Sequence, residues 1–185
     1  MSKSLPGVPE LLHAIAFAAD KHRDHRRKGQ TGAPYINHPI TVAEQLADHG
    51  HAENIALLMA AVLHDVIEDT ETTEEELRTA FGARVAGIVL EVTDDKSLRK
   101  KERRAHTVRS MASKSHDARL LKLSDIIANL NDVIHHPPDW TQEQKLEYLD
   151  WAEQVAREGE GTDAGLEKRF RKLAGAARTA FGEGQ

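Results

Sequence analysis

Cysteine is absent from this 185-residue chain. That excludes disulfides, thiolate metal sites and a cysteine nucleophile, and it points weakly to a reducing compartment. Aromatic residues are scarce, at 4%, so aliphatic side chains and alanine must build the core. No apolar run approaches the roughly 20 residues of a membrane-spanning helix. No N-terminal stretch joins a basic segment to an apolar one, so no secretion signal is expected. The expected compartment is the cytoplasm, with no membrane partner. A basic excess is also missing. Lys and Arg number 25 against 30 Asp and Glu, for a formal net charge of −5, which argues against a nucleic-acid partner. Local basic clusters remain at Arg23–Lys28 and Lys96–Arg104, suited to a small polyanion.

What is present fits a soluble globular protein, with 39% hydrophobic and 30% charged residues. A chain of this length suits one domain, at roughly 100–200 residues per domain. The pattern is helical nearly throughout. Leu11, Leu12 and Ile15 follow Pro9 with helical spacing, predicting a first helix to about Arg26. Gly29, Gly32 and Pro34 mark a loop, and a second helix runs from Pro39 to Gly50. A third, from about Ala52 to Ile67, carries a wide apolar face and is expected to be central. Thr73 with Glu76 reads as a capping box for a short helix before Gly82, and Arg84–Val92 continues as helix. The basic stretch Lys96–Arg109 reads as a solvated helix, and Asp117–Ile134 as another central one, stopped by Pro137 and Pro138. Thr141 with Gln144 opens the next helix, Gly159 and Gly161 end it, and a last helix spans about 162–182. The expected fold class is all-α, a single helical bundle over 1–185, with a core of about 9–158 and the last helix packed on it.

Four separated residues carry the chemistry: His38, the pair His64–Asp65, and Asp125. Two imidazoles and two carboxylates can hold one divalent metal. Nitrogen ligands suit many first-row ions, and carboxylate oxygen shifts the preference toward harder ones such as Mn²⁺. Neighbours on a helix do not share a face, so His64 and Asp65 can share an ion only at a helix end or bend. Glu68 and Asp69 follow each member of the pair at a spacing of four, which puts two more carboxylates beside it. The plainer alternative is a helix end running into an acidic turn. Asp125 sits among Leu121, Leu123, Ile126, Ile127 and Leu130, where an unpaired carboxylate is costly. A metal would relieve that cost, and so would a salt bridge to Lys122. Asn129 shares its face. Arg26, Arg27 and Lys28 precede a glycine-containing loop and suit phosphate, or simply a helix end. Lys96, Lys100 and Arg104 form a basic stripe. The other histidines, His22 and His25 among them, read as structural or surface residues.

In order, these motifs resemble the HD superfamily of metal-dependent phosphohydrolases. Within it they are similar to the hydrolase domain of RelA/SpoT-homologue proteins, the enzymes of the alarmone (p)ppGpp. The likeness runs from about Leu11 to Val155 through "FAADKHRDHRRKG", "PYINHP", "HDVIEDT", "FGARVAGIVLEVTDDKS", "LLKLSDIIANL" and "LEYLDWAEQV". It implies a single HD-domain helical bundle acting as a stand-alone small alarmone hydrolase in the stringent response. It implies one Mn²⁺ per chain on His38, His64, Asp65 and Asp125, with Glu68 and Asp69 as the catalytic acidic pair. Arg27, Lys28 and Asn129 match residues near the nucleotide, and Lys100 and Tyr148 match the phosphate or nucleotide pocket. The implied reaction removes pyrophosphate from the ribose 3′ position, leaving GDP or GTP.

One departure stands out. The family commonly carries a basic residue after the last aspartate, in Asp-Lys-Leu, where this chain has Asp125-Ile126-Ile127. The alternatives are an HD phosphohydrolase of another nucleotide, such as an adenine alarmone analogue or NADPH, and a non-catalytic nucleotide-binding module. The oligomeric state is open, with a homodimer among the options.

Overall fold

The protein is described by a computed structural model covering residues 7–27 and 32–182. Its described residues form an all-α fold. The chain divides into two compact units. One comprises Met1–His25 with Pro34–Thr93, the other Arg26–Ala33 with Asp94–Gln185. No described helix is long and apolar enough to cross a membrane.

The first unit contains α1 (Val8–Lys21), α2 (Asn37–Leu46), α3 (Ile55–Leu63), α4 (Val66–Asp69) and α5 (Glu74–Val92). Its centre is α3, which packs against α1, α2 and α5. Leu57 through Leu63 are buried without a gap. A helix apolar on every side has no solvent face to offer and so becomes the core. The Asn54 side chain caps it by accepting from the Leu57 amide at 3.3 Å. α5 is capped likewise, by Thr73 Oγ1 accepting from the Glu76 amide at 3.1 Å. The two helical stretches expected around Gly82 are continuous except at that glycine, whose φ of 82° lies outside the helical range.

Several boundaries differ from the sequence expectation, and α3, expected over about Ala52–Ile67, spans only Ile55–Leu63. α1 stops at Lys21 instead of running on to Arg26, because His22–Asp24 form a turn. There Arg23 bonds back to the Asp20 carbonyl and pairs with the Asp20 carboxylate. α2 gives way after Leu46 to a distorted turn, Ala47–His51.

The second unit contains α6 (Lys100–Ser110), α7 (His116–His135), α8 (Gln142–Glu158) and α9 (Ala164–Gly182). α9 packs on α7 and α8 through Leu166, Phe170, Ala174, Ala177 and Phe181, one helical stripe. α8 opens with the Thr141–Gln144 capping box. α6 begins at Lys100 and not Lys96, because Asp95 first makes a turn. Its side chain accepts from the Ser97 amide at 2.9 Å and its carbonyl from the Leu98 amide at 3.1 Å.

Candidate active site

In the first unit the central helix breaks at the His–Asp pair. α3 ends at Leu63, and the chain restarts as α4 at Val66. That break lets consecutive residues converge. His64 Nε2 lies 3.0 Å from Asp65 Oδ2, and His38 Nε2 lies 4.0 Å from the same oxygen. The His38 and His64 rings meet edge-on, with centroids 5.4 Å apart. Nitrogen and oxygen donors of His38, His64 and Asp65 all fall within 4.8 Å of one another. Both imidazoles are buried.

The donor chemistry fits a divalent cation. His64 Nδ1 lies 2.8 Å from the Ala61 carbonyl oxygen, which can only accept. The neutral ring must therefore carry its proton on Nδ1, leaving the Nε2 lone pair toward Asp65. A backbone carbonyl that sets the tautomer this way is the usual partner of a metal-binding histidine.

Residues behind the cluster hold it in place. Tyr35 Oη donates to Asp65 Oδ2 at 2.6 Å. The Tyr35 ring packs on His22 at 4.8 Å, and His22 Nδ1 sits 3.0 Å from His25 Nδ1. His22 is 2% exposed. Burial pushes its pKa below the ordinary histidine value, Asp65 opposes that, His25 reinforces it, Asp69 opposes it and His64 reinforces it. The charges of both Asp65 and Asp69 therefore reach this buried ring. Glu68 and Asp69 occupy α4, partly exposed, with the Asp69 amide bonded to the Asp65 carbonyl at 2.8 Å.

The second unit brings together a different set. Asp125 is buried on α7, with Lys122 Nζ at 3.2 Å from Oδ2 and Asn129 Nδ2 donating to Oδ1 at 2.6 Å. The salt bridge to Lys122 is thus formed. Arg27 donates to Asn129 Oδ1 at 2.8 Å and to Asp132 Oδ2 at 2.6 Å. Arg27 orients the Asn129 amide, whose nitrogen then faces Asp125. Tyr148 is buried on α8. Burial drives its pKa far above the ordinary phenol value, Asp125 adds to that, and Arg104 and Arg27 oppose it. The phenol is therefore neutral at any working pH. Lys100 lies over the Trp140 ring at 5.7 Å. Ile126 is fully buried, so the position of the family's basic residue is filled here by apolar packing. Lys28 lies outside the described residues.

The HD-domain profile matches residues 14–159. The chain belongs to the HD-domain family. This HD domain is 46% identical over 164 residues to guanosine-3′,5′-bis(diphosphate) 3′-pyrophosphohydrolase MESH1 of Danio rerio, covering 88% of this chain and 91% of that one. It is 45% identical over 165 residues to the protein of the same name from Homo sapiens, covering 89% and 92%. Among solved structures it superposes, at a TM-score of 0.88 and 40% identity, on one described as a metazoan orthologue of SpoT that hydrolyses ppGpp and plays a role in starvation responses. That match covers 92% of this HD domain and 96% of the other chain.

Reading the sequence singled out His38, His64 and Asp65, which the first unit brings together. It passed over Tyr35 and His22. A signal for Tyr35 exists in its place three residues before His38, since the His38 amide bonds to the Tyr35 carbonyl at 3.0 Å. Nothing in the pattern marks His22, whose burial against Tyr35 is a tertiary contact.

Proposed function

We propose that this HD domain hydrolyses (p)ppGpp at the ribose 3′ position, giving GDP or GTP and pyrophosphate. One observation carries the reading: identity of 46% to a named 3′-pyrophosphohydrolase over 88% of the chain, a span that includes the buried His–His–Asp donor cluster. We read 1–185 as one HD-type hydrolase domain, because the family match runs through both compact units.

His38, His64 and Asp65 are assigned as ligands of one Mn²⁺ per chain, and Asp125 joins them on the strength of its motif. When bound, the ion supplies Lewis-acid polarisation of a phosphoryl oxygen and a water acidic enough to ionise near neutral pH. Glu68 and Asp69 are assigned to position the attacking water and move its proton. Arg27, Lys28, Lys100, Asn129 and Tyr148 are assigned to the nucleotide. Arg27 also has a positioning task, because its bonds to Asn129 and Asp132 orient the amide that holds Asp125. Tyr148, kept neutral, can donate its hydroxyl proton to a phosphate or ribose oxygen. The proposed compartment is the cytoplasm.

The test is pyrophosphate release from ppGpp with added Mn²⁺ and with chelator, for the wild-type protein and Asp65→Ala. Release that needs both the metal and Asp65 supports the reading. A folded, metal-loaded protein that releases nothing overturns it. Glu68→Ala should retain metal and lose rate by roughly 10²-fold or more. Normal turnover in that variant would remove Glu68 from the catalytic pair.

A further inference from the structure

The motif "HDVIEDT" ends on a threonine, Thr70, that neither the donor cluster nor the acidic pair uses. Glu68 and Asp69 stand on α4, a helix of four residues. One turn does not hold itself together, because nucleating a helix fixes several residues for a single bond. Backbone bonds run from the Asp69 amide to the Asp65 carbonyl at 2.8 Å and from the Thr70 amide to the Val66 carbonyl at 3.2 Å. At the start of α4, Tyr35 bonds to Asp65. At its end, the chain leaves as extended backbone at Thr70, with φ −130° and ψ −176°.

Three bonds meet on the Thr70 hydroxyl. Oγ1 donates to the Val66 carbonyl at 2.5 Å, lies 2.8 Å from Thr72 Oγ1, and accepts from the Thr72 amide at 3.1 Å. A carbonyl only accepts, so the one hydroxyl proton of Thr70 is committed to Val66. Thr72 Oγ1 must then be the donor to Thr70. A hydroxyl offers one proton and two lone pairs, and here all three are used. The Val66 carbonyl in turn takes both the amide and the hydroxyl of Thr70. Val66 and Thr72 are both buried, so these bonds fasten the end of α4 to the interior. The backward bond alone is not unusual. At the end of α5, Thr93 Oγ1 donates to the Val89 carbonyl at 2.9 Å, but there it closes a helix of 19 residues. At Thr70 the same bond closes a single turn, and the hydroxyl also holds the buried residue two places on.

We infer that Thr70 is a positioning residue: its hydroxyl clasps the end of α4 and so fixes where that turn presents Glu68 and Asp69. Thr70 acts through the backbone of α4 and needs no contact with substrate. The inference rests on the proposed hydrolase reading for the task of the two carboxylates.

Thr70→Val keeps the shape of the side chain and removes the hydroxyl. In ppGpp hydrolysis with Mn²⁺ it should lower kcat by roughly tenfold or more, because small misplacements of a catalytic group are costly in rate. KM should be unchanged, since the clasp does not serve substrate binding. Thr70→Ser keeps the hydroxyl and should recover most of the lost rate. That rescue separates the clasp from a general loss of stability. Independently of turnover, amide hydrogen exchange over residues 66–70 should quicken in Thr70→Val by roughly fivefold or more, as expected for the loss of a hydrogen bond.

A folded Thr70→Val with wild-type kcat overturns the inference, and so does a loss that Thr70→Ser shares in full. If Thr70→Val does not fold, Thr72→Val decides, because it removes the hydroxyl that donates to Thr70. A lower kcat at unchanged KM then supports the inference, and an unchanged kcat overturns it. If the wild-type protein does not cleave ppGpp, only the proposed reaction falls, and hydrogen exchange decides. Quicker exchange in Thr70→Val supports the clasp, and an unaltered rate overturns it.

Discussion

The Tyr35 hydroxyl helps to hold Asp65 in place. The 2.6 Å bond from Tyr35 Oη falls on Oδ2, the same oxygen that faces the His38 and His64 nitrogens. Tyr35→Phe keeps the ring against His22 and removes only that bond. Partners of this kind change metal affinity by 10–100-fold, so Tyr35→Phe should weaken Mn²⁺ binding by roughly tenfold, read by calorimetric titration. Equal affinity would show that Asp65 is held well enough by the break between α3 and α4. At Gly7 the backbone itself is the constraint. Its φ is 85°, and an added Cβ would sit 2.4 Å from Ile55 Cγ1. Gly7→Ala combines a strained backbone with a clash, and should cost about 1–3 kcal/mol in chemical unfolding. Tyr35 lies within "PYINHP", whereas no motif marks Gly7.

At the scale of elements, the important events are interruptions. An unbroken helix through His64 and Asp65 would direct them to different sides. The break after Leu63 makes the pair convergent. The sequence implied that a bend was needed there without placing it. The caps were more legible, because they depend on residues three apart. Thr73 and Thr141 each accept a bond from the amide three residues on. Thr73→Ala should cost about 1 kcal/mol, seen as a lower urea midpoint with an unchanged slope. The start of α6 was not legible. A charged run from Lys96 favours helix by propensity, but the Asp95 side chain captures the Ser97 amide first. Local turn chemistry outranks propensity over so short a stretch.

For the molecule as a whole, the proposed metal site should be linked to stability. An ion that binds only the folded chain stabilises it by about 2.7 kcal/mol at a hundredfold excess over its Kd. Adding Mn²⁺ should therefore raise the melting temperature, chelator should reverse the shift, and His38→Ala should abolish it. A shift that survives in His38→Ala would place the ion elsewhere. The first unit's core rests on α3, where Leu63 is fully buried beside the cluster. Leu63→Ala should cost about 2–5 kcal/mol, measured by denaturant unfolding.

Helical periodicity and caps determined the all-α class from sequence alone, because each depends on residues within a turn or two. The ordered motifs around His38, His64–Asp65 and Asp125 determined the family, because ligand types at those places are rare in combination. Contacts across elements were decided only by the tertiary structure. They include Tyr35 on Asp65, His22 beneath Tyr35, and Arg27 steering Asn129. Each joins residues from different elements, or a loop and a helix, and no local preference encodes which side chains packing will bring within 3 or 5 Å.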